Sequence, residues 1–157
     1  MKILIIEDDI RLAQALKRGL EQESYAVDII GDGIEGEKRM LLNHADYDLL
    51  ILDLTLPSKD GFQICAHLRS QNISLPILIL SGKTGTEDKI KALDSGADDY
   101  LTKPFSVSEL AARARALMRR PKESSSPELS VEDITLNPNS KKVFRAGREL
   151  KLTLKEF

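Results

Sequence analysis

Four short apolar runs in this chain each end at a polar or charged residue. The runs are Lys2-Ile-Leu-Ile-Ile6, Leu49-Leu-Ile-Leu52, Leu78-Ile-Leu80 and Tyr100-Leu-Thr102, and they lead into Glu7-Asp8-Asp9, Asp53, Ser81 and Lys103-Pro104. Such runs, separated by helix-like stretches, are typical of the buried parallel strands of an α/β sheet. Because parallel strands point the same way, the residues that follow them meet at the carboxyl edge, where open α/β sheets bind ligands. The sequence therefore predicts one site built from these four strand ends.

The pattern of apolar residues predicts five strand–helix units in the first part of the chain. The expected strands are residues 2–6, 26–30, 49–53, 77–81 and 99–102. The expected helices cover residues 10–22, a stretch after Gly31-Asp32-Gly33, a stretch from Asp60-Gly61, residues 86–95 with Gly96 as the stop, and a stretch from Ser106 to Pro121. Asp8 or Asp9 is placed to cap the first helix, and Ser106 with Glu109 has the spacing of a capping box.

The residues at the predicted edge have the chemistry of a phosphorylation site. Glu7, Asp8 and Asp53 would repel one another and raise each other's pKa unless they shared a cation. Mg²⁺ prefers oxygen ligands and typically couples one or two carboxylates to a phosphate. With that charge neutralised, a carboxylate can act as a nucleophile toward phosphorus. Lys103 would supply a positive charge for the phosphoryl oxygens, and Ser81 a hydroxyl donor.

The composition agrees with a small α/β protein. With 157 residues, 41% of them hydrophobic, the chain can bury one core and a small appendage. No apolar stretch approaches the roughly 20 residues of a membrane span, and the N-terminus lacks the cleavage site of a signal peptide. We therefore expect a cytoplasmic protein with no membrane contact. The single cysteine, Cys65, excludes an internal disulfide, and we interpret it as a small core residue.

The chain is expected to divide into two parts after Pro121. Residues 1–121 carry 16 basic and 19 acidic side chains, and residues 122–157 carry 7 and 6, so neither part is by itself the basic surface of a nucleic-acid-binding protein. The polar, Ser- and Pro-rich residues 122–128 indicate a linker. Residues 129–157 contain alternating strands, which predict a small antiparallel β segment over Ile134–Asn137, Lys142–Arg145 and Glu149–Leu152.

Five segments of the chain carry a resemblance to a known family. They are IIEDD at 5–9, LILDLTLPSKDG at 50–61, LILSGK at 78–83, GADDYLTKPF at 96–105 and ITLNPNSKKVFRAGRELKLTLKEF at 134–157. In this order and at these spacings the chain resembles a two-component response regulator of the OmpR/PhoB type. The resemblance implies a receiver domain at 1–121, with a flavodoxin-like, doubly wound parallel sheet of strand order 2-1-3-4-5. It also implies that residues 129–157 are the N-terminal β-platform of a truncated winged-helix DNA-binding domain.

The resemblance also implies roles for the residues at the edge. Asp53 aligns with the phosphoacceptor, Asp8 with a direct Mg²⁺ ligand, and Glu7 with its acidic companion. The backbone carbonyl of Thr55 takes the third protein ligand position. Family members often carry a larger residue at the position of Thr55, so we expect this threonine to influence the lifetime of the phosphorylated state.

Ser81 and Tyr100 are similar to the switch pair of the family. Phosphorylation is expected to draw Ser81 inward and to let the Tyr100 ring follow into the space vacated. The resemblance further implies a cis peptide between Lys103 and Pro104. Position 82 is Gly where the family usually has Ala, and the smaller residue leaves room for phosphodonors and water, so unusual phosphorylation and hydrolysis rates are expected.

The expected partners are a sensor histidine kinase, a second copy of the chain and promoter DNA. By resemblance, the homodimer uses the face of the fourth helix, the fifth strand and the fifth helix, with cross-subunit pairs Lys89–Glu109, Asp94–Arg115 and Asp99–Arg113. Without the family match, such charges would be interpreted as a solvated face. Because Leu152–Phe157 resembles only the start of the first effector helix, we expect a fragment that lacks the recognition helix and does not bind DNA specifically.

Two other classes of protein remain as alternatives. A phosphohydrolase of the haloacid dehalogenase type also forms an aspartyl-phosphate with Mg²⁺, but it needs a second Asp two residues after the nucleophile, where this chain has Thr55. A flavin-binding flavodoxin-like module would need a hydroxyl-rich phosphate loop where this chain has Glu7-Asp8. The acidic run could also do no more than cap a helix. Asp53 is harder to explain in that way, because a carboxylate at the end of an apolar strand is costly without a partner. We therefore expect a non-enzymatic regulator.

Overall fold

The computed structural model describes residues 1–119 and the backbone of four short strands between 129 and 150. The chain forms two compact units, Met1–Arg120 and Pro121–Phe157. The elements of the first unit are β1 Lys2–Ile6, α1 Ile10–Gln22, β2 Ala26–Ile30, α2 Gly33–Asn43, β3 Leu49–Asp53, α3 Gly61–Ser70, β4 Ile77–Ser81, α4 Thr86–Asp94, β5 Asp99–Thr102 and α5 Val107–Arg119. A short 3₁₀ turn, His44–Asp46, precedes β3.

The first unit is built on a parallel sheet with strand order β2-β1-β3-β4-β5. Both β3 and β4 are buried at every residue, which explains why these strands are apolar in sequence on both faces. The predicted strand order and all five strand ranges are confirmed. Side chains alternate between the two faces of a strand, and so Leu50 and Leu52 enter one core while Leu49 and Ile51 enter the other.

The two cores lie on opposite faces of the sheet. One contains side chains from α1 and α5, such as Leu16 and Leu110. The other contains side chains from α2, α3 and α4, such as Met40, Leu68 and Ala92. Cys65 lies in this second core and is fully buried, as its sequence pattern predicted. This two-sided arrangement is that of a doubly wound α/β fold.

The helix ends follow the sequence with one difference. Asp9, one of the two predicted candidates, caps α1, with its side chain accepting from the backbone N–H groups of Arg11 and Leu12 at 2.9 and 3.1 Å. Helix α4 ends at Asp94, one residue before the predicted end, and Gly96 follows with a φ of 101°, a conformation that favours glycine.

The predicted capping box at the start of α5 is half formed. The hydroxyl of Ser106 accepts from the backbone N–H of Glu109 at 3.1 Å. The Glu109 carboxylate contacts Arg113 at 3.1 Å, and among the described residues it makes no reciprocal bond to the backbone of Ser106. The Ser106 half of the box is therefore confirmed, while the Glu109 carboxylate pairs with an arginine one helical turn later.

The second unit contains a four-stranded sheet with neighbouring strands antiparallel, in the order β6-β7-β8-β9. Its strands are β6 Leu129–Val131, β7 Ile134–Asn137, β8 Lys142–Arg145 and β9 Arg148–Leu150. The predicted linker, 122–128, and the predicted helix start, 152–157, lie outside the described residues. The division into a receiver, a linker and a β-platform stays a prediction. Among the helices that the structure describes, none combines the length and apolar character that a membrane crossing requires.

Candidate functional site

The carboxyl edge of the parallel sheet gathers three acidic side chains. Glu7 and Asp8 follow β1 and Asp53 ends β3, and these strands are neighbours, with Ile6 paired to Leu52. One carboxylate oxygen from each acidic residue lies within 4.8 Å of the other two. Glu7 is 1% exposed and Asp53 4% exposed, whereas Asp8 is exposed. The sheet therefore brings together the three acidic residues that the sequence predicted to meet.

Lys103 reaches the acidic cluster from the end of β5. Its Nζ lies 2.8 Å from Glu7 Oε2 and 3.3 Å from Asp53 Oδ1. The backbone N–H of Lys103 donates to the carbonyl of Ser81 at 2.7 Å, which continues the pairing of β4 and β5 beyond the last strand residue. The peptide between Lys103 and Pro104 is cis, as the resemblance implied. The shorter distance shows that in this state the ammonium is primarily the partner of Glu7.

Burial and charge compete at these groups. Burial raises the pKa of Asp53, and the Lys103 ammonium and the backbone N–H groups of Thr55 and Leu54 offset only part of that effect. Burial likewise raises the pKa of Glu7, against its hydrogen bond from Lys103. For Lys103, burial alone would lower the pKa, but Glu7 and Asp53 raise it above its usual value. Three carboxylates around one ammonium leave an excess of negative charge, which favours binding of a cation.

The donor set fits a hard divalent cation. Glu7, Asp8 and Asp53 offer carboxylate oxygens. Thr55 is exposed and lies two residues after Asp53, so its own backbone carbonyl is a further candidate oxygen. Mg²⁺ takes oxygen ligands and keeps part of its water shell, so a cluster with one exposed member suits it. The role of the Thr55 carbonyl as a ligand stays a prediction.

Ser81 and Tyr100 both contact the residue that follows Gly82. Ser81 is fully buried, and its Oγ accepts from the backbone N–H of Lys83 at 3.0 Å. Tyr100 is 9% exposed, and its hydroxyl donates to the Lys83 carbonyl at 2.8 Å. The Tyr100 ring is therefore already buried in this structure. Lys83 joins the two predicted switch residues through its backbone, a contact that sequence reasoning missed.

Gly82 borders open space. A Cβ added at this glycine would have no atom within 4 Å. Gly61, at the start of α3, is the opposite case, because an added Cβ would lie 2.5 Å from the Asp53 carbonyl oxygen and 2.9 Å from the Leu54 Cα. The room that the sequence predicted at position 82 is therefore present. Its effect on phosphorylation and hydrolysis rates stays a prediction.

The predicted dimer face carries ion pairs within the chain. Arg113 contacts Asp99 at 2.9 Å and Glu109 at 3.1 Å. Arg115 contacts Glu23 at 2.8 Å. On α4, which carries Lys89 and Asp94, the side chains of Ile90 and Leu93 are 53% and 51% exposed. The cross-subunit pairs stay a prediction. To form them, Arg113 and Arg115 would have to leave their partners within the chain and pair with acidic residues of the second copy.

The comparisons with known proteins agree with this geometry. A family model described as the response regulator receiver domain matches residues 3–115. Among curated relatives, BasR of Escherichia coli is 45% identical over 157 residues, covering 100% of this chain and 70% of BasR. TcrA of Mycobacterium tuberculosis is 42% identical over 157 residues, and the chain spans 61% of its length. Both are described as transcriptional regulatory proteins.

Solved receiver structures share the fold. The receiver domain of the Francisella response regulator 1452 is 40% identical with a TM-score of 0.72, covering 76% of this chain and 97% of that one. The BeF₃-activated receiver domain of Klebsiella pneumoniae RstA is 31% identical with a TM-score of 0.70, covering 76% and 100%. The family model spans most of the chain, and the two curated relatives align over the whole of this chain and over 61% and 70% of their own lengths. The chain belongs to the response regulator receiver family, with relatives of the OmpR/PhoB type.

Proposed function

We propose that this chain accepts a phosphoryl group on Asp53 from a sensor histidine kinase and passes that signal to transcription. One observation carries the proposal: a buried strand-end carboxylate, Asp53, lies within 4.8 Å of Glu7 and Asp8 and 3.3 Å from the ammonium of Lys103. A nucleophile, two further acidic groups and a fixed cation are the parts that phosphoryl transfer to a carboxylate requires.

The direct metal ligands in this proposal are Asp8, Asp53 and the backbone carbonyl of Thr55, with Glu7 as the acidic companion of Asp8. A bound Mg²⁺ would neutralise negative charge on the carboxylates and on the incoming phosphoryl oxygens. Glu7 is the acidic companion that Lys103 contacts most closely in this structure. Asp8, which is exposed, is the ligand that a hydrated cation would reach first.

In the transfer step, a carboxylate oxygen of Asp53 forms a bond to phosphorus while the bond between phosphorus and the kinase histidine nitrogen breaks. No proton is lost from Asp53, because the attacking group is already a carboxylate. Lys103 then moves toward the new phosphoryl oxygens, which carry more negative charge than the carboxylate it leaves. Ser81 donates its hydroxyl to the same group.

We infer that the signal leaves the site through Lys83. When Ser81 turns toward a phosphoryl group, its Oγ gives up the bond from the Lys83 backbone N–H, which is 3.0 Å in this structure. The carbonyl of Lys83 holds the Tyr100 hydroxyl at 2.8 Å, so a shift of this residue acts directly on the ring. The loop between β4 and α4 would thus couple Asp53 to the surface of α4, β5 and α5.

The proposed output is a homodimer through that surface, which places two effector domains on promoter DNA. Exposed charge pairs contribute only about 0 to 1 kcal/mol each, so they would fix the register while Ile90 and Leu93 supply apolar contact. Residues 129–157 would be the start of an effector domain, and the transcriptional regulatory proteins that the chain resembles are longer than it, since it spans 61% and 70% of their lengths. A protein that acts on promoter DNA would work in the cytoplasm, the location that the sequence predicted.

The test is phosphorylation by a small phosphodonor, acetyl phosphate, with and without Mg²⁺, followed by intact-mass measurement. The expected product carries one acid-labile phosphoryl group, forms only with Mg²⁺, and is absent in Asp53→Asn. Asp46→Asn is the matched control, because Asp46 is an exposed aspartate outside the site. Unchanged labelling of Asp53→Asn would contradict the proposal, and sustained release of phosphate with a rapid steady-state turnover would indicate an enzyme in place of a stoichiometric acceptor.

A further inference from the structure

The loop between β3 and α3, residues 54–60, is part of the site and has an unusual backbone. It begins directly after Asp53 and contains Thr55, whose carbonyl is the proposed third protein ligand. Its base is closed by a hydrogen bond from the Gly61 N–H to the Leu54 carbonyl at 3.0 Å. The position of the Thr55 carbonyl therefore depends on what holds the rest of the loop in place.

Ser58, near the tip of this loop, has a φ of 73°. Side chains other than glycine avoid this left-handed region, and asparagine and aspartate enter it more readily than serine. Ser58 is exposed, so packing does not force the conformation. Observed strain of this kind is retained where surrounding contacts impose it, and it often accompanies function.

The contact that holds Ser58 comes from α2. The Ser58 hydroxyl donates to Asp32 Oδ2 at 2.5 Å. The other oxygen of the same carboxylate caps α2, accepting from the backbone N–H groups of Ile34 and Glu35 at 2.9 and 3.0 Å. One oxygen of Asp32 thus contacts the loop, and the other caps the helix. The bond from Ser58 is also the main reason why the pKa of Asp32 lies below its usual value.

Two further contacts join the same loop to the same helix. The backbone N–H of Gly33 donates to the Pro57 carbonyl at 3.4 Å. Lys59 Nζ contacts the two oxygens of Glu37 at 2.6 and 2.7 Å, and Glu37 is 7% exposed. The loop after Asp53 is therefore attached through three consecutive residues, 57–59, to the helix that follows β2 and to its N-cap.

This attachment links the two sides of the proposed metal site. Strand β2, which leads into α2, is the neighbour of β1, and the Glu7 N–H donates to the Ile30 carbonyl at 3.1 Å. Glu7 and Asp8 are therefore fixed relative to α2. Asp53 and Thr55 belong to β3 and its loop. The bond between Ser58 and Asp32 thus joins the loop after β3 to the helix after β2, in addition to the direct pairing of β1 with β3.

We propose that Ser58 and Asp32 are positioning residues for the metal site: their hydrogen bond holds the β3–α3 loop in the conformation that presents the Thr55 carbonyl to the cation. The inference rests on the proposed function, because it assumes that Mg²⁺ binds at Asp53. Groups that orient metal ligands commonly change metal affinity by about 10- to 100-fold when removed. Ser58 acts one step further from the metal, through the loop backbone, so a loss of about three- to tenfold is expected.

The experiment measures the Mg²⁺ dissociation constant by isothermal titration calorimetry and the melting temperature by circular dichroism. Ser58→Ala removes the hydroxyl and keeps the strained backbone, and Ser58→Gly removes both. Both variants are expected to weaken Mg²⁺ binding. The melting temperature should fall less in Ser58→Gly than in Ser58→Ala, because glycine accepts a positive φ. Ser24→Ala and Ser24→Gly are matched controls, since Ser24 is an exposed serine with a φ of 67° in the α1–β2 turn. They should leave the dissociation constant unchanged.

A double variant separates a specific bond from general loosening. The experiment compares the double variant Asp32→Asn/Ser58→Ala with the two single variants, Asp32→Asn and Ser58→Ala. If Ser58 and Asp32 act through one hydrogen bond, the Mg²⁺ dissociation constant of the double variant will be no larger than the larger of the two single-variant values. Additive losses, or a wild-type dissociation constant in Ser58→Ala together with a lowered melting temperature, would overturn the inference. Absence of Mg²⁺ binding by the wild-type chain would instead overturn the proposed function, and this inference with it.

Discussion

Two loops meet at the same edge of the sheet, and they are held very differently. The β3–α3 loop, residues 54–60, is closed at its base by Gly61 and attached to α2 through Ser58 and Lys59. The β4–α4 loop, residues 82–85, begins with a glycine that borders open space, and its last residue, Gly85, caps α4 without a side-chain hydrogen bond. The loop beside the proposed nucleophile is braced by contacts to α2, whereas the loop beside the proposed switch hydroxyl is held through the backbone of one residue, Lys83.

Helix α4 continues this contrast along its length. Ala92 is its only buried residue, whereas α3 has five. Its C-terminal end is nevertheless attached, because Arg69 Nε donates to the Gly96 carbonyl at 2.8 Å. Segments with few buried contacts open more readily than their surroundings. The comparison teaches that the proposed chemistry lies beside the loop with more contacts to its neighbours, whereas the proposed response lies at a helix with a single buried residue.

The largest expected effect is on the free energy of unfolding when a glycine beside each loop is replaced by alanine. Gly61→Ala places a Cβ 2.5 Å from a backbone carbonyl oxygen, so the backbone must move, and the free energy of unfolding should fall by about 3 kcal/mol. Gly82→Ala, with nothing within 4 Å, should change it by less than about 0.5 kcal/mol. Urea denaturation of both variants checks this. Equal losses would show that the β4–α4 loop is as tightly packed as the β3–α3 loop.

A second substitution tests the anchored end of α4. Arg69 also donates to the Leu75 carbonyl at 2.9 Å and to Asp98 at 2.8 Å, a set that a lysine ammonium cannot reach at once. Arg69→Lys should therefore lower the free energy of unfolding by about 2 kcal/mol. Hydrogen exchange should accelerate at residues 92–97. Arg18→Lys, at an exposed arginine on α1, is the control, and matching exchange rates in both variants would contradict the anchor.

A third substitution tests the few contacts of the β4–α4 loop. Tyr100→Phe removes the hydrogen bond to the Lys83 carbonyl and should cost about 1 kcal/mol. Amide exchange at residues 82–85 should rise more than elsewhere, because this bond is one of the few that hold the loop. Tyr25→Phe, at a half-buried tyrosine outside the edge, provides the comparison. If exchange in the loop stays at the wild-type rate, the hydroxyl does not restrain it.

The smallest expected effect is a pH dependence in the braced loop. Burial alone would raise the pKa of Glu37, but hydrogen bonds from Lys59 and His67 hold it below its usual value of 4.5. The charged carboxylate therefore stabilises the fold above about pH 4.5, and this contribution is lost as pH falls through the depressed pKa. Glu37→Gln should flatten the acid limb of the stability curve in urea titrations. Glu35→Gln, on the same helix but exposed, should leave its slope unchanged.

The parts of the fold that were predictable depend on local pattern. Four of the five strand ranges followed from apolar runs that lead into Glu7, Asp53, Ser81 and Lys103, and β3 and β4, which are buried at every residue, carry polar residues only at their ends. The meeting of these residues at one edge followed from parallel topology alone. The half-formed capping box was not predictable in the same way, because Glu109 has a competing partner one helical turn away.

The contacts that sequence reasoning missed depend on which side chains can reach each other after folding. Lys83 was visible only as the last residue of the LILSGK segment, and its two backbone bonds to Ser81 and Tyr100 join separate strands. Ser58 carried no sequence signal for a positive φ, because serine has no preference for that region. Arg69 contacts groups 4 to 29 residues away, and no spacing rule predicts such a set.

The close pairing of Lys103 with Glu7 gives the site an internal counterion. Because Glu7 is 1% exposed, dissolved salt screens this pair only weakly, and it persists at ionic strengths that would dissociate a surface ion pair. Asp8, in contrast, faces solvent, and its attraction for an arriving cation weakens as salt rises. We therefore expect the Lys103–Glu7 pair and the attraction of Asp8 for a cation to respond to ionic strength separately, with the buried pair the less sensitive of the two.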